Sequence, residues 1–411
     1  MQQQELIPHL FRSEFHKITA VLCNLFGIQH IEIAEDITSE TFLAAMETWT
    51  YKGIPENPTA WLYAVAKNKT RNFLSRNDIF IQKIKPHLEQ TPSVNEIEID
   101  LSDTNITDSQ LKMLFAICHP VISTEAQIGL SLRILCGFGI DEIANAFLSN
   151  KETISKRLAR AKEKLRDEKV KIAFPPEQEI PNRLDAVLTT LYLLFNEGYY
   201  SESKDSVLRN DLCLEAMRLT HLLVDNESTN LPAVNALLSL MCFHSSRFGA
   251  RKNEKGELIL YHDQDESLWD QELISRGAYF LHKASQGNMI SKYHIEAGIA
   301  YWHTVKSDTL EKWENILLLY DQLLSIAYSP IAALNRTYAL AKIKGNAAAI
   351  IEAEKLNLTS SHFYFTLLGE LYSETDVTKA RMNFDKALLI AKTQADKKSI
   401  RNKLKSLEIR E

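Results

Sequence analysis

Between Ile140 and Arg166 an apolar stripe stops and then restarts. Ile140, Ile143, Ala144 and Phe147 recur at helical spacing, and so do Ile154, Leu158, Ala161 and Leu165. Only Leu148, Ser149 and Asn150 separate the two patterns, which leaves room for a tight turn and little else. The spacing predicts two short helices that meet at an angle, each burying a narrow stripe against a third element. Asn150 is placed to cap the second helix by accepting the Thr153 amide, and Gly139 stands at a permitted, weaker cap position before the first. The second helix carries Lys151, Lys156, Arg157, Arg160, Lys162, Lys164 and Arg166 on its remaining faces. Two short helices, a tight turn and a basic second helix make a helix-turn-helix. Its first residues (Lys151, Glu152, Thr153, Ser155 and Lys156) would face base edges, and Arg157, Arg160 and Lys164 would meet phosphates. A solvated charged helix is the plainer alternative.

The rest of the chain points to an all-α fold. In 411 residues there are 13 glycines and 11 prolines, and alternating β-branched runs are few. No run of about 18 uninterrupted apolar residues occurs, so no membrane span is expected. The opening MQQQELIPHLFRSEF lacks a charged lead followed by an apolar stretch, so no leader peptide is expected. Cys23, Cys118, Cys136, Cys213 and Cys242 are scattered, with no CxxC pair, which fits a reducing cytoplasm and argues against structural zinc. The formal net charge of −6 excludes a basic nucleic-acid coat, so any nucleic-acid contact must come from local patches.

Two breaks organise the chain. Residues 86–108 carry six carboxylates and no Lys or Arg, and read as an extended acidic linker. The stretch IAFPPEQEIPN at 172–182 ends the basic helix with three prolines. The expected blocks are therefore 1–85, the linker 86–108, 109–172 and 183–411. In the first block, Phe42, Ala45, Met46 and Trp49 define one apolar helix face, with Glu35, Asp36, Ser39 and Glu40 on other faces. A second helix over 59–76 has a core stripe of Leu62, Val65 and Ala66. Trp61, Tyr63, Lys67, Asn68, Lys69, Arg71, Asn72 and Arg76 interleave aromatic, amide and cationic side chains along it. Two readings fit that helix: a surface where unstacked bases meet rings and phosphates meet cations, or a core helix with a solvated basic face.

Taken in order, these blocks resemble the extracytoplasmic-function (ECF) group of sigma-70 RNA polymerase sigma factors. AEDITSETFLAAMETW is similar to region 2 of such factors, and TAWLYAVAKNKTRNFLSR to the segment that recognises and melts the −10 element. CHPVISTEAQIGLSLRILCGFGIDEIANAFLSNKETISKRLARAKEKLR is similar to region 4, which reads the −35 element. The resemblance implies binding of core RNA polymerase, at its beta-prime clamp and beta flap, and of promoter DNA. It places polymerase contact on Glu35, Asp36, Ser39, Glu40 and Phe42, and implies a cytoplasmic, non-enzymatic protein without cofactors. Asn72 stands where many relatives have Asp, and Gly139 where Ser or Thr is usual.

The long C-terminal block resembles the helical, tetratricopeptide-like extension of one group of these factors. LLGELYSETDVTKARMNFDKALLIA approximates that repeat through Gly369, Tyr372, Ala380, Phe384 and Ala387. Such an extension implies regulation in cis, through contacts with regions 2 and 4. No P-loop, GxSxG, HExxH or GxGxxG occurs. The strongest chemical cluster is YHDQDESLWDQ, with Asp263, Gln264, Asp265, Trp269 and Asp270 after His262. Its carboxylates could hold a cation, but helix capping around a core Trp269 is the simpler expectation. His294 and His303, nine apart, are expected in helix packing or at the surface and not as a metal pair. The competing reading of the whole chain is a helix-turn-helix DNA-binding regulator with a tetratricopeptide-like sensor domain, and a peptide-binding adaptor is a third.

Overall fold

A computed structural model describes residues 3–76, 99–147, 149–200, 206–251, 259, 264–391 and 394–408. Among them every regular element is a helix and none is a strand. No described helix is long and apolar enough to cross a membrane. The chain divides into two compact units, Met1–Thr229 and Asn230–Glu411.

The first unit is built round α1 (Gln3–Phe26), whose Phe15, Ile18, Leu22, Cys23 and Phe26 are buried. Against it pack α2 (Ile31–Lys52), α3 (Pro58–Arg76) and α4 (Asp103–Ile117). Asn57 accepts the Ala60 amide at 3.0 Å and Pro58 opens α3, where a missing N–H costs nothing. The hydroxyls of Thr19 and Thr38 satisfy each other at 3.2 Å where α1 crosses α2. After α4 come α5 (Thr124–Leu130), capped by Ser123, and one π-helical turn, Ser131–Leu135. Two further helices follow, α6 (Ile140–Ala146) and α7 (Lys151–Asp167).

The structure redraws two of the expected boundaries. Residues 103–108 of the expected linker are the first turns of α4. Ser102 accepts the Asn105 amide, Asp103 sits in the first turn where the helix dipole favours a carboxylate, and Ile99, Leu101 and Ile106 are buried. Residues 86–98 of that linker lie outside the described residues. The proline-rich stretch after α7 is irregular, yet it does not divide the units. Beyond it, α8 (Ile180–Tyr200) and α9 (Ser206–Asp225) pack on α4, α5 and α6. Arg183 Nη2 donates to the Phe115 carbonyl at 2.6 Å, Thr190 Oγ1 to Gln127 Oε1 at 2.9 Å, and Arg218 Nη2 to the Leu135 carbonyl at 2.7 Å. The buried apolar residues of α8 (Val187, Leu188, Leu191 and Leu194) are covered by α9 together with α4 and α5.

The second unit is a succession of helices, each against the next: α10 (Pro232–Ser245), α11 (Gln271–Ala284), α12 (Lys292–Trp302), α13 (Leu310–Ile326), α14 (Pro330–Lys344), α15 (Asn346–Leu356), α16 (His362–Tyr372), α17 (Val377–Ile390) and α18 (Gln394–Glu408). Small local cores fill it in turn. Trp313, Ile316 and Tyr320 belong to one, Ala349, Tyr364 and Leu368 to the next, and Phe384, Ala387 and Ile400 to the last. A side chain at Gly369 would place its Cβ 2.6 Å from the Phe384 ring, so α16 and α17 approach only because that residue is glycine. Ala380, Phe384 and Ala387 are buried as the repeat-like spacing requires, and Tyr372 is half-buried.

Candidate nucleic-acid interface

The turn between α6 and α7 is fixed by local chemistry. Asn150 has extended backbone angles (φ −97°, ψ 154°), and its side chain accepts the Thr153 amide at 2.7 Å. At the start of α6, Glu142 accepts the Gly139 amide at 2.8 Å, which satisfies one backbone donor where Gly139 offers no capping side chain. Ile154, Leu158, Ala161 and Leu165 are buried and seat α7 on the unit. Leu158 lies so close to α5 that a Cβ at Gly129 would come within 2.9 Å of its methyl.

That seating divides the remaining α7 residues between two directions. Lys151, Glu152, Thr153, Ser155 and Lys156 are exposed, and Lys151 is paired with Asp141 of α6 at 2.9 Å. Thr153, Lys156, Arg157, Arg160 and Lys164 line a cleft of about 520 Å³, closed on its other side by Ile122, Ser123 and Ala126. None of these four cations is held in an ion pair among the described residues. The result is a run of cations on one helix face beside hydroxyls, an arrangement suited to phosphate oxygens. Lys162 and Arg166 point the other way, to Glu35 and Glu32 of α2.

On α2 the sequence reading mixed two faces. Asp36, Ser39 and Glu40 are exposed, and Glu40 receives Lys69 at 2.9 Å. Glu35 is buried between Arg133 and Lys162, and Phe42 is buried against Phe11 and Phe15, so neither presents a side chain outward. Met46, expected in the apolar face, is 53 % exposed, and its neighbour Leu43 is 54 % exposed. Asp36, Ser39, Glu40, Leu43, Met46 and Glu47 therefore form one outward stripe. Its signal was in the sequence: residues 36, 40, 43 and 47 keep helical spacing opposite the buried 34, 38, 41, 45 and 49.

On α3, Asn68, Arg71 and Asn72 are exposed and Lys67 and Lys69 are half-buried. The side chain of Arg76 lies outside the described residues. Trp61 is half-buried edge-on to Trp49 at 5.3 Å. Tyr63 is turned to the core, where its hydroxyl donates to Glu14 Oε2 at 2.7 Å. Burial and that carboxylate hold the phenol well above the usual tyrosine range, so it stays a neutral donor. Tyr63 thus ties α3 to α1, and of the two aromatics expected to meet bases Trp61 is the one not bonded to Glu14.

The C-terminal candidates act on their own backbone. Asp263 lies outside the described residues. Asp265 accepts from the amide and hydroxyl of Ser267, which hold its carboxyl below the usual range. Asp270 caps α11 by accepting the Leu273 amide at 3.0 Å, Gln264 donates to the Ile259 carbonyl at 3.3 Å, and Trp269 is buried. His294 accepts the Ser291 amide at 3.1 Å in a capping box, while His303 ends the same helix. Among the described residues no three His, Cys, Asp or Glu side chains are grouped to hold a metal.

Comparison with known proteins adds three findings. Residues 10–79, spanning most of α1 through α3, match Sigma-70 region 2. Residues 183–285 match a family of unknown function, DUF6596. Over 388 residues the chain is 31 % identical to the uncharacterized protein R00370 of Rhizobium meliloti (strain 1021), covering 92 % of this chain and 91 % of that one. No solved structure matches the chain.

Proposed function

We propose that the chain, whose residues 10–79 match Sigma-70 region 2, is a dissociable, ECF-type promoter-specificity subunit of RNA polymerase in the sigma-70 family. The match over α1–α3 carries the reading. A capped α7 with an unpaired cationic face supports it, because such a helix fits a major groove flanked by phosphates.

Each surface then has a role. The outward stripe of α2 (Asp36, Ser39, Glu40, Leu43 and Met46) is the polymerase-binding face, apolar at its centre and acidic at its rim. Asn68, Arg71 and Asn72 on α3, with Trp61, take the −10 strand as it opens. Stacking and phosphate contacts there offset the lost base pairing, so no catalytic group is needed. On α7, Thr153 and Lys156 face base edges of the −35 element, and Arg157, Arg160 and Lys164 meet its phosphates. The second unit, tetratricopeptide-like in its run of hairpins, regulates the first in cis, and the protein works in the cytoplasm.

The test is strand opening. Full-length chain, core polymerase and a library of host promoter fragments are mixed, and a single-strand-specific thymine probe maps melted sites. Opening that depends on the chain, at fragments sharing two spaced elements, is the expected result. Specific duplex binding without any association with core polymerase would instead establish an ordinary helix-turn-helix regulator.

A further inference from the structure

Turns of one to seven residues join α11 through α18, and each helix packs on the next. Neighbours therefore run antiparallel, and alternate turns fall on the same edge of the second unit. Side-chain contacts agree. A Cβ at Gly287, between α11 and α12, would lie 2.6 Å from Pro232 at the start of α10. His362, which opens α16, has its Nε2 3.6 Å from Asp396 near the start of α18. At the other edge Lys342, near the end of α14, is 3.5 Å from Asp308 before α13. There too Asn346 Nδ2, at the start of α15, is 3.3 Å from Glu374 between α16 and α17.

The two edges differ in chemistry. Turns 303–309 and 373–376 carry Lys306, Asp308, Glu374 and Asp376. On the other edge, turns 285–291, 327–329 and 357–361 contain no Lys, Arg, Asp or Glu, and 391–393 adds only Lys392. Large apolar side chains stand out there instead, in the turns or on the helix ends beside them. They are Met289 (83 % exposed), Ile290, Ile326, Tyr328, Phe363 and Leu389 (84 % exposed). Ordered backbone presents them: the Ser291 amide donates to His294 Nδ1 at 3.1 Å, and the Ala327 amide to the Leu323 carbonyl at 2.8 Å. Together they leave on the order of 800 Å² open. That is about what one partner gives to a standard stable interface, and more than the largest apolar patch of an ordinary monomer.

We infer that this apolar edge of the second unit is a homodimer interface, its occupant the same edge of a second copy of the chain. Charge selects that partner. With no ionised group in turns 285–291, 327–329 and 357–361, self-pairing there brings no like charges together. A phosphate backbone or a charged peptide would find nothing in them to pair with. The turns form a row, so a two-fold axis across its middle pairs the first with the last. The Met289 turn of one copy then meets the Leu389 end of α17 in the other, and the Tyr328 turn meets the start of α16. This concerns the second unit alone and does not depend on the proposed promoter role.

Sedimentation equilibrium on the full chain tests it. The wild type should dimerise with micromolar or tighter affinity. Tyr328→Glu and Leu389→Glu each put a carboxylate on an exposed apolar position, so each should weaken association by about tenfold or more without changing far-UV circular dichroism. Leu310→Glu, at an exposed position beside the opposite turns, should leave association unchanged. Pairing is read by cross-linking. A Met289→Cys chain mixed with a Leu389→Cys chain, with copper phenanthroline and air as oxidant, should give a disulfide-linked dimer, and neither chain alone should. The five native thiols are buried and do not compete. A wild type that stays monomeric at its highest soluble concentration overturns the interface. So does a dimer that survives both edge variants, or a monomer that floats with neutral phosphatidylcholine vesicles and so gives the edge to a membrane. Cross-linking of Met289→Cys to its own copy overturns the two-fold pairing.

Discussion

Arg133 and Glu35 are 98 residues apart in the chain and 2.8 Å apart in space. Side-chain exposures of 23 % and 9 % leave the pair largely desolvated. Replacing Arg133 by Gln should therefore lower the stability of the first unit by about 2–4 kcal/mol, below the full cost of breaking a dry pair because Lys162 still attends the carboxylate. Urea unfolding of single and double variants at Arg133 and Glu35 checks this, with a coupling energy above about 1 kcal/mol expected.

The cations in the α7 cleft should act through phosphate. Arg160→Ala or Lys164→Ala should weaken binding of holoenzyme to all promoters alike, and each should reduce the slope of log affinity against log salt by about 0.9. Thr153→Ala should instead change which −35 sequences are preferred and leave that slope alone. A salt titration on a small set of promoter variants distinguishes the two behaviours.

Asn150 contributes through one hydrogen bond. Asn150→Ala removes the acceptor for the Thr153 amide and should cost about 1 kcal/mol, whereas Asn150→Gly should cost only a few tenths. Equal losses in chemical denaturation would mean that the cap does not set the start of α7.

Tyr63 makes a pH-dependent contribution. Its folded-state phenol is raised above the ordinary value of about 10, so the Glu14 bond contributes fully below that pH and is lost as pH rises beyond it. Tyr63→Phe should lose about 1–2 kcal/mol at neutral pH. The gap between wild type and variant should narrow above about pH 10, which thermal melts across that range will show.

Where the chain is cut should matter more than how much is removed. Ending it near Pro175 deletes α8 and α9, and with them the partners of Phe115, Gln127 and Leu135. That product should aggregate or melt at much lower temperature. Ending it after Thr229 keeps the first unit whole, and the product should fold and allow the proposed regulatory role of the second unit to be tested.

Local features of this chain could be read from sequence, and long-range ones could not. The Asn150 cap and the Ile154–Leu158–Ala161–Leu165 seam depend only on residues within a few turns, and both stand as the spacing predicts. The caps made by Asp265 and Asp270 are equally local. Glu35 was different. Its burial is created by Arg133 and Lys162, neither near it in sequence, and an acidic residue on an amphipathic helix reads as solvated until those partners are in place. Phe42 and Met46 are both apolar and four apart, so spacing alone does not separate them, yet only the first turns toward Phe11 and Phe15. The docking of α8 and α9 left no mark in composition, since a proline-rich stretch looks the same whether it ends a domain or only turns a corner within one.

The two-sided use of α7 limits how this protein can be re-engineered. A recognition helix transplanted from a relative would bring new residues to the cleft at 153, 156, 157, 160 and 164, which is the purpose of such a swap. It would also bring whatever stood at 162 and 166, and those two positions answer to Glu35 and Glu32, not to DNA. A graft that keeps Lys162 and Arg166 leaves both pairs with α2 in place; one that replaces them strips Glu35 and Glu32 of a partner each.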